Sequence, residues 1–210
     1  MGWAILLAIL GGLASLPWFA ESRRSSADAF RKKAPGRFAK LSQGVTHYQW
    51  LGRVRGPVVV CIHGLTTPGP VWYAIAQGLA GLGYRVLVYD LYGRGFSDAP
   101  RGPQTGDFFA RQLSDLLEHQ ELEDDVTLMG YSMGGSIATH FTAKYPDRVR
   151  RMILLASGGA WLREDKLTEF CRKTPFAGDW GHAVIAARKD RRALAILAPT
   201  NKAASVLRNR

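Results

Sequence analysis

The sequence predicts an α/β fold: a mostly parallel sheet with helices on both faces. Two observations support this prediction. Apolar segments of strand length alternate with segments of helical periodicity from about residue 45 to residue 156, and one of them, 57–62, is continuously apolar, as strands buried on both faces are. Strands that alternate with helices of this length are typical of a parallel sheet. With 210 residues, of which 47% are hydrophobic, the chain can form one domain with a sizeable core.

The predicted elements follow one another in a regular order. Residues 45–50 alternate between apolar and polar and predict a half-buried strand. Beyond residue 157 the chain becomes polar, basic and helix-prone, and no further Val/Ile-rich strand is predicted. The remaining strands are predicted over 57–62, 85–89, 126–129 and 151–156, and the helices over about 71–82, 107–119 and from the turn after 129 to about 145.

Residues 1–20 contain no Asp, Glu, Lys or Arg and are long enough to cross a bilayer. We expect an uncleaved membrane anchor helix here. The alternative is an export signal that is cleaved, which is disfavoured because Trp18 and Phe19 stand where small residues usually precede a cleavage site. A buried core helix is also disfavoured, because the segment has no polar face and precedes the domain.

Residues 21–40 are polar and basic and predict a linker close to the membrane surface. The positive-inside bias places this flank in the cytoplasm, so the domain that follows would face the cytosol. Anionic lipid headgroups are the expected partners of the basic side chains. The seven basic residues of this linker, which contains only two acidic ones, are Arg23, Arg24, Arg31, Lys32, Lys33, Arg37 and Lys40.

The net charge of +11 raises the question of a nucleic-acid partner. The basic residues gather in the linker and in the last third, without interleaved aromatic residues or a reader motif, so we expect no nucleic acid. Cys61 lies in a predicted apolar strand and Cys171 in a polar region, which is typical of reduced thiols. We therefore expect no disulfide and no metal site.

Residues 130–135, G-Y-S-M-G-G, contain a G-x-S-x-G motif between a predicted strand and a predicted helix. In this context a strained turn lifts a serine hydroxyl above the sheet, and the glycines leave room where the backbone is pinched. Ser132 is therefore the candidate nucleophile. The backbone N–H of Met133, at the helix N-terminus, is a candidate donor to an oxyanion. The alternative is a structural turn with an incidental serine.

A second motif, H-G-L-T-T at residues 63–67, follows the predicted strand 57–62. A loop in this place can supply a second oxyanion donor. The N–H of Leu65 would lie beside that of Met133 and complete a two-donor hole for a tetrahedral intermediate. We expect His63 itself to order the loop by hydrogen bonding rather than to act as a base.

A third segment, D-L-Y-G-R-G-F-S-D at residues 90–98, follows the strand 85–89. The three segments, in this order and spacing, resemble the α/β-hydrolase superfamily, in particular its esterase and carbon-carbon hydrolase group. The resemblance runs from about residue 45 to residue 156. It implies an eight-stranded sheet, a nucleophile at Ser132, an oxyanion hole at Leu65 and Met133, and a structural 90–98 loop shaped by Arg94 and Asp98. No cofactor is implied, because acyl transfer through serine needs none.

The resemblance also divides the chain, with an α/β-hydrolase core over 41–157 and a lid-like helical region and basic tail over 158–210. In this family an acid and then a histidine follow the serine along the chain. The candidates here are Glu164 or Asp165 for the acid and His182 for the base, although a lid or surface position is the favoured interpretation of His182. His140 lies eight residues along the helix after Ser132 and is expected to be packed and out of reach.

Because no seventh or eighth strand is predicted, we expect a member of the family that is truncated at its C-terminus. The first hypothesis for function is a serine hydrolase that acts on an ester or related small acyl substrate through a Ser132 acyl-enzyme. The alternative is a truncated, inactive fragment or pseudoenzyme that only binds a ligand or a membrane. Esterase, carbon-carbon hydrolase, lipase and peroxidase activities share these motifs, so the substrate stays open, as does the oligomeric state.

Overall fold

The computed structural model describes residues 2–22, 31–32, 34–159 and 174. The chain divides into two compact units, one of residues 26–162 and the other of residues 1–25 with 163–210. Helix α1 (Gly2–Ser22) belongs to the second unit. Among the residues described, no helix is both long and apolar enough to cross a membrane, so the anchor predicted over residues 1–20 is not supported.

A six-stranded sheet forms the centre of the unit 26–162. Its strand order is β1-β2-β4-β3-β5-β6. β1 and β2 pair antiparallel, as do β2 and β4, whereas the pairs β4–β3, β3–β5 and β5–β6 are parallel. The mostly parallel sheet is thus confirmed. The strands are β1 (Arg37–Leu41), β2 (Gly44–Gly52), β3 (Val58–Ile62), β4 (Arg85–Tyr89), β5 (Val126–Tyr131) and β6 (Val149–Leu155).

Helices cover both faces of the sheet, as predicted. On one face, a short 3-10 turn (Gly69–Trp72) and α2 (Tyr73–Gly81) pack on a cluster that includes Val59, Cys61 and Ala76. On the other face lie α3 (Gly106–His119) and α4 (Met133–Lys144), which enclose the larger cluster. The continuous apolar run of β3 therefore separates two buried layers.

One strand departs from the prediction. β1 begins within residues 21–40, which the composition predicts to be a linker, and ends at Leu41, so the basic segment runs into a strand of the sheet. The pairing of Arg37–Leu41 with residues 44–48 of β2 forms a hairpin with a two-residue turn. A short strand at the edge of a sheet tolerates charged side chains, because it has a neighbouring strand on one side only.

β6 is the outer strand on its side of the sheet within the part of the chain described. Its side chains are largely exposed: 38% of Met152, 39% of Ile153 and 42% of Leu154 is accessible to solvent. The resemblance implies eight strands, of which six fall among the described residues.

We expect the substitution Gly134→Ala to lower the free energy of unfolding by about 3 kcal/mol. A β-carbon at residue 134 would lie 2.1 Å from the carbonyl oxygen of Ile62, so β3 and α4 would have to separate. The matched control is Gly78→Ala in α2, where a β-carbon meets nothing within 4 Å and should raise the free energy by about 0.5–1 kcal/mol. Urea denaturation measures both, and equal stabilities would contradict the close approach of the two elements.

Candidate active site

Ser132 occupies a strained turn between β5 and α4. Its backbone has φ 53° and ψ −119°, a conformation that few residues with a side chain adopt. Three hydrogen bonds hold it there: its N–H donates to the carbonyl of Leu155 (3.1 Å), and its carbonyl accepts from the N–H groups of Gly135 (3.0 Å) and Gly158 (2.8 Å). The strained backbone predicted for this turn is therefore present, and hydrogen bonds to the N–H and to the carbonyl of Ser132 stabilise it.

The glycines around Ser132 are required by close contacts. A β-carbon at Gly130 would lie 2.5 Å from the carbonyl oxygen of Gly134, and one at Gly135 would lie 2.4 Å from Oγ of Ser157. Met133 is the first residue of α4, so its N–H has no acceptor within the helix. This N–H is available at the positive end of the helix dipole.

The loop after β3 lies directly against the serine. At Gly64, the position of a missing β-carbon is 3.1 Å from Cβ of Ser132 and 3.4 Å from the Tyr131 ring. Any side chain at residue 64 would therefore displace Ser132. The two predicted oxyanion donors, the N–H groups of Leu65 and Met133, each belong to a residue next to this contact. The side chain of Leu65 is 54% exposed.

His63 is fully buried beneath this loop. Its Nδ1 lies 2.8 Å from the carbonyl oxygen of Gly64, and its Nε2 accepts the N–H of Leu91 at 2.9 Å. Burial lowers the pKa of His63, and the contact with the Gly64 carbonyl offsets only part of this effect. Both ring nitrogens are occupied, so His63 orders the loop and is not a free base, in agreement with the sequence.

A buried ion pair, which the sequence analysis did not predict, joins His47 in β2 to Asp90 after β4. Nδ1 of His47 lies 2.8 Å from Oδ2 of Asp90, and its Nε2 contacts the carbonyl oxygen of Pro35. Burial alone would lower the pKa of His47, but these two hydrogen bonds raise it. Both partners of the ring are hydrogen-bond acceptors, an arrangement that favours the imidazole protonated on both nitrogens.

Asp90 also connects two loops. Its carboxylate accepts the N–H of Gly69 (2.7 Å), from the turn after β3, and that of Phe96 (3.0 Å), from the loop after β4. Burial alone would raise the pKa of Asp90, but the hydrogen bonds from His47, Phe96 and Gly69 lower it. The carboxylate is therefore held in its charged form.

The 90–98 loop is structural, as the resemblance implies. Nε of Arg94 donates to the carbonyl of Leu65 (3.3 Å), and its Nη1 donates to the carbonyl of Tyr92 (2.7 Å). Asp98 accepts the N–H of Val45 through its carboxylate (2.7 Å) and forms an ion pair with Arg31 (2.6 Å). Arg94 therefore also holds the 63–67 loop, a contact that its position in the sequence did not suggest.

The predicted triad partners Glu164, Asp165 and His182 lie outside the described residues. His140 lies about 12 Å along α4 from Ser132. It is a surface residue, 44% exposed, rather than a packed one, and its Nε2 contacts Oδ1 of Asp107 at 3.1 Å. The expectation that His140 is packed is thus wrong: its ring forms a surface contact with Asp107, which is itself exposed.

The described residues contain no group of three His, Cys, Asp or Glu side chains that could hold a metal ion. Cys61 is buried in β3 as a free thiol, and burial raises its pKa to about 12. Cys171 lies outside the described part of the chain.

The sequence matches the family described as alpha/beta hydrolase fold over residues 57–189, which is more than half of the chain. The chain belongs to the alpha/beta hydrolase fold family. Among the described residues, the match covers the strained serine, the two loops beside it and strands β3 to β6, whereas β1 and β2 precede it.

Curated relatives of this hydrolase chain include esterases. It is 32% identical to the pimeloyl-[acyl-carrier protein] methyl ester esterase of Vibrio parahaemolyticus, over 57% of this chain and 44% of the relative. It is 36% identical to a putative non-heme chloroperoxidase of Synechocystis, over 52% of this chain and 39% of the relative. An uncharacterized protein of Mycobacterium tuberculosis is 36% identical over 50% of this chain and 30% of the relative. The chain thus spans less than half the length of these relatives.

Solved structures show the same likeness. A thermophilic esterase from Thermogutta terrifontis superposes with a TM-score of 0.57 at 27% identity, over 66% of this chain and 54% of the esterase. An esterase from Exiguobacterium antarcticum gives a TM-score of 0.54 at 27% identity, over 58% of this chain and 45% of the esterase. Both are similar to the hydrolase core of this chain.

We expect Asp90→Asn to lower the free energy of unfolding by about 3–5 kcal/mol near pH 6, because it leaves the charged His47 buried without its partner. The pKa of His47 is raised above 6.5, so its contribution is complete below pH 6.5 and is lost as the pH rises through the pKa in the folded chain. The pKa of Asp90 is lowered below 3.8, so its contribution is complete above pH 3.8 and is lost at lower pH.

The difference in stability between the parent and Asp90→Asn should therefore be largest between pH 4 and 6.5 and should shrink in more alkaline solution. Urea denaturation across this range measures it. The control is Asp107→Asn, which removes a surface carboxylate paired with His140 and Lys144 and should change stability little. A difference that does not vary with pH would contradict a charged His47.

Proposed function

We propose that this chain is a serine hydrolase that acts on an ester or related small acyl substrate through an acyl-enzyme on Ser132. The observation that supports the proposal is the strained Ser132 turn with Gly64 packed against it, so that Ser132, the first residue of α4 and the residue after Gly64 lie at the same edge of the sheet. This is the arrangement that acyl transfer requires.

In the proposed reaction, Oγ of Ser132 attacks the ester carbonyl carbon and transfers its proton to a base. The N–H groups of Leu65 and Met133 stabilise the resulting oxyanion. The carbon-oxygen bond to the alcohol then breaks, and the base returns the proton to the leaving alcohol. A water molecule attacks the acyl-enzyme by the same route and releases the carboxylic acid.

His182 is the proposed base, with Asp165 or Glu164 as the acid that orients it. The chain has five histidines, and the four other than His182 lie in the described part of the chain. His47 and His63 are buried with both ring nitrogens occupied, and His140 contacts Asp107. The fourth, His119, ends α3 next to the start of β5, whereas Ser132 follows the opposite end of that strand.

The ester class is proposed because relatives that match the hydrolase core are named as esterases. A second candidate is a chain that keeps this site but does not turn over substrate. It is favoured by one observation: no histidine among the described residues is placed to activate Ser132.

Labelling of the full chain with a fluorophosphonate probe tests the proposal. We expect the parent to be labelled and Ser132→Ala to lose labelling completely, because the probe reacts only with an activated serine. Ser42→Ala is the control, since Ser42 lies in the β1–β2 turn and its hydroxyl contacts Asp115. A folded parent that is not labelled would favour the inactive candidate.

His182 is tested in the same assay. His182→Ala should lower the labelling rate at least about 100-fold if this residue is the general base. His119→Ala removes an exposed histidine at the far end of the sheet and should leave the rate unchanged. Equal rates for the two variants would exclude His182 as the base.

A further inference from the structure

We propose that a groove at the end of the sheet opposite Ser132 binds a phosphate group through Arg37, Arg53 and Arg85. The groove has a volume of about 610 Å³, which is within the range of small-molecule sites. Arg85 begins β4, about 16 Å from the other end of that strand, whereas Ser132 follows the end of β5, which runs in the same direction. The inference therefore concerns a second site, named here the arginine groove, and does not rest on the proposed function.

The arginine groove forms because β1 is shorter than β2. β1 begins at Arg37, which pairs with Tyr48. Within the described part of the chain, residues 49–52 of β2 therefore have a neighbouring strand on the β4 side only. Arg85 is the first residue of β4 and pairs with Gly52. The uncovered part of β2 thus has Arg37 at one end and Arg85 at the other.

The side chains at the two ends of this segment project from one face of the sheet. Paired residues of neighbouring strands share a face, and so do residues two apart in one strand. Arg37 pairs with Tyr48, and Trp50 lies two residues further along β2. Arg85 pairs with Gly52, which lies two residues beyond Trp50. Arg37 and Arg85 are therefore on the same face as the Trp50 ring.

Trp50 holds two donors of the groove in place. The guanidinium carbon of Arg85 lies 4.5 Å from the centroid of the Trp50 ring, and a stacked guanidinium keeps its N–H groups available to an anion. Nε1 of Trp50 donates to Oε1 of Gln120 at 2.8 Å. This hydrogen bond uses the side-chain carbonyl of Gln120, so its NH₂ group remains as a donor, and Gln120 also lines the groove. A cation and an amide donor are thus oriented before any ligand binds.

The positive charges of the groove have no counter-charge in the described part of the chain. No acidic residue lines the groove, and Arg37, Arg53 and Arg85 form no ion pair with a described carboxylate. Arg31 and Arg148, by contrast, are each paired with a carboxylate. Like charges beside one groove repel one another, and a bound anion removes that repulsion.

A phosphate monoester is the anion that fits this set of donors best. It carries a charge of about −2 and presents three terminal oxygens, so it can accept hydrogen bonds from more than one guanidinium at once. A carboxylate offers a single charge and two oxygens. The same phosphate group occurs in soluble phosphorylated molecules and in the headgroup of phosphatidic acid, and the two sources are separated by experiment.

Titration of the full chain with inorganic phosphate, glycerol 3-phosphate and acetate at constant ionic strength tests the site. The readout is the indole N–H signal of Trp50 in ¹⁵N NMR spectra, assigned with Trp50→Phe. Both phosphates should shift this signal, and acetate should bind about tenfold more weakly or less. Arg85→Gln should weaken phosphate binding about tenfold or more, and Arg53→Gln about threefold or more, because each removes a charged donor.

Arg101→Gln is the matched control, since it removes the same charge from an exposed position between β4 and α3 and should leave the affinity within about twofold. Equal losses in Arg85→Gln and Arg101→Gln would overturn the proposal, because net charge alone would then explain binding. So would phosphate binding that leaves the Trp50 signal unchanged, or acetate that binds as tightly as phosphate. Arg53 is exposed after the end of β2, so Arg53→Gln keeps the test decisive even if Arg85→Gln does not fold.

Cosedimentation with vesicles of phosphatidylcholine that contain phosphatidic acid identifies the source of the phosphate group. Vesicle binding that is weakened in Arg85→Gln but not in Arg101→Gln would support the lipid headgroup. Vesicle binding that is equal in all three proteins, together with binding of glycerol 3-phosphate that depends on Arg85, would support a soluble phosphorylated ligand. If neither depends on Arg85 or Arg53, the proposal is wrong. Ser132→Ala should give the parent result throughout, so the outcome is independent of fluorophosphonate labelling.

Discussion

The buried ion pair between His47 and Asp90 is the interaction on which the edge of the sheet around Ser132 depends. Two charges in the interior are unfavourable unless each has further partners, and here every polar atom of the pair has one. Through Gly69 and Phe96 the carboxylate joins the loops after β3 and β4, and through Pro35 the imidazole holds the segment before β1. The loops after β3 and β4 are therefore joined to each other through one buried charge pair.

The same edge also stores strain. Ser132 has a conformation that costs about 1–3 kcal/mol, and it persists because Leu155, Gly135 and Gly158 together over-determine its backbone. The glycines beside it allow β3, β5 and α4 to approach more closely than side chains would permit. The strain at Ser132 thus lowers the stability of the fold, and the two buried clusters on the faces of the sheet offset this cost.

Much of the fold could be predicted from the sequence, because strands that are buried on both faces have a composition of their own. β3 and β4 are continuous apolar runs, and the turn at Ser132 has a glycine pattern that few other structures require. β1 could not be predicted: it is a short edge strand with basic residues, and its pairing with β2 rather than its own pattern stabilises it. The membrane anchor was predicted from composition alone and is not supported.

The parts of the candidate site that belong to a local motif could be predicted from the sequence, whereas contacts between residues distant in the sequence could not. Ser132, Leu65 and Met133 each belong to a short segment, whereas His47 and Asp90 are 43 residues apart and only the sheet brings them together. The hydrogen bond from Arg94 to the carbonyl of Leu65 could likewise not be predicted from the sequence, since it joins two loops.

Both proposed oxyanion donors are main-chain groups, and the side chain of Leu65 projects into solvent. The amino acid at this position can therefore change without altering the hydrogen bond that its backbone provides. In the proposed hydrolase, residue 65 is therefore a position at which the surface beside Ser132 can be redesigned while the backbone donor is kept.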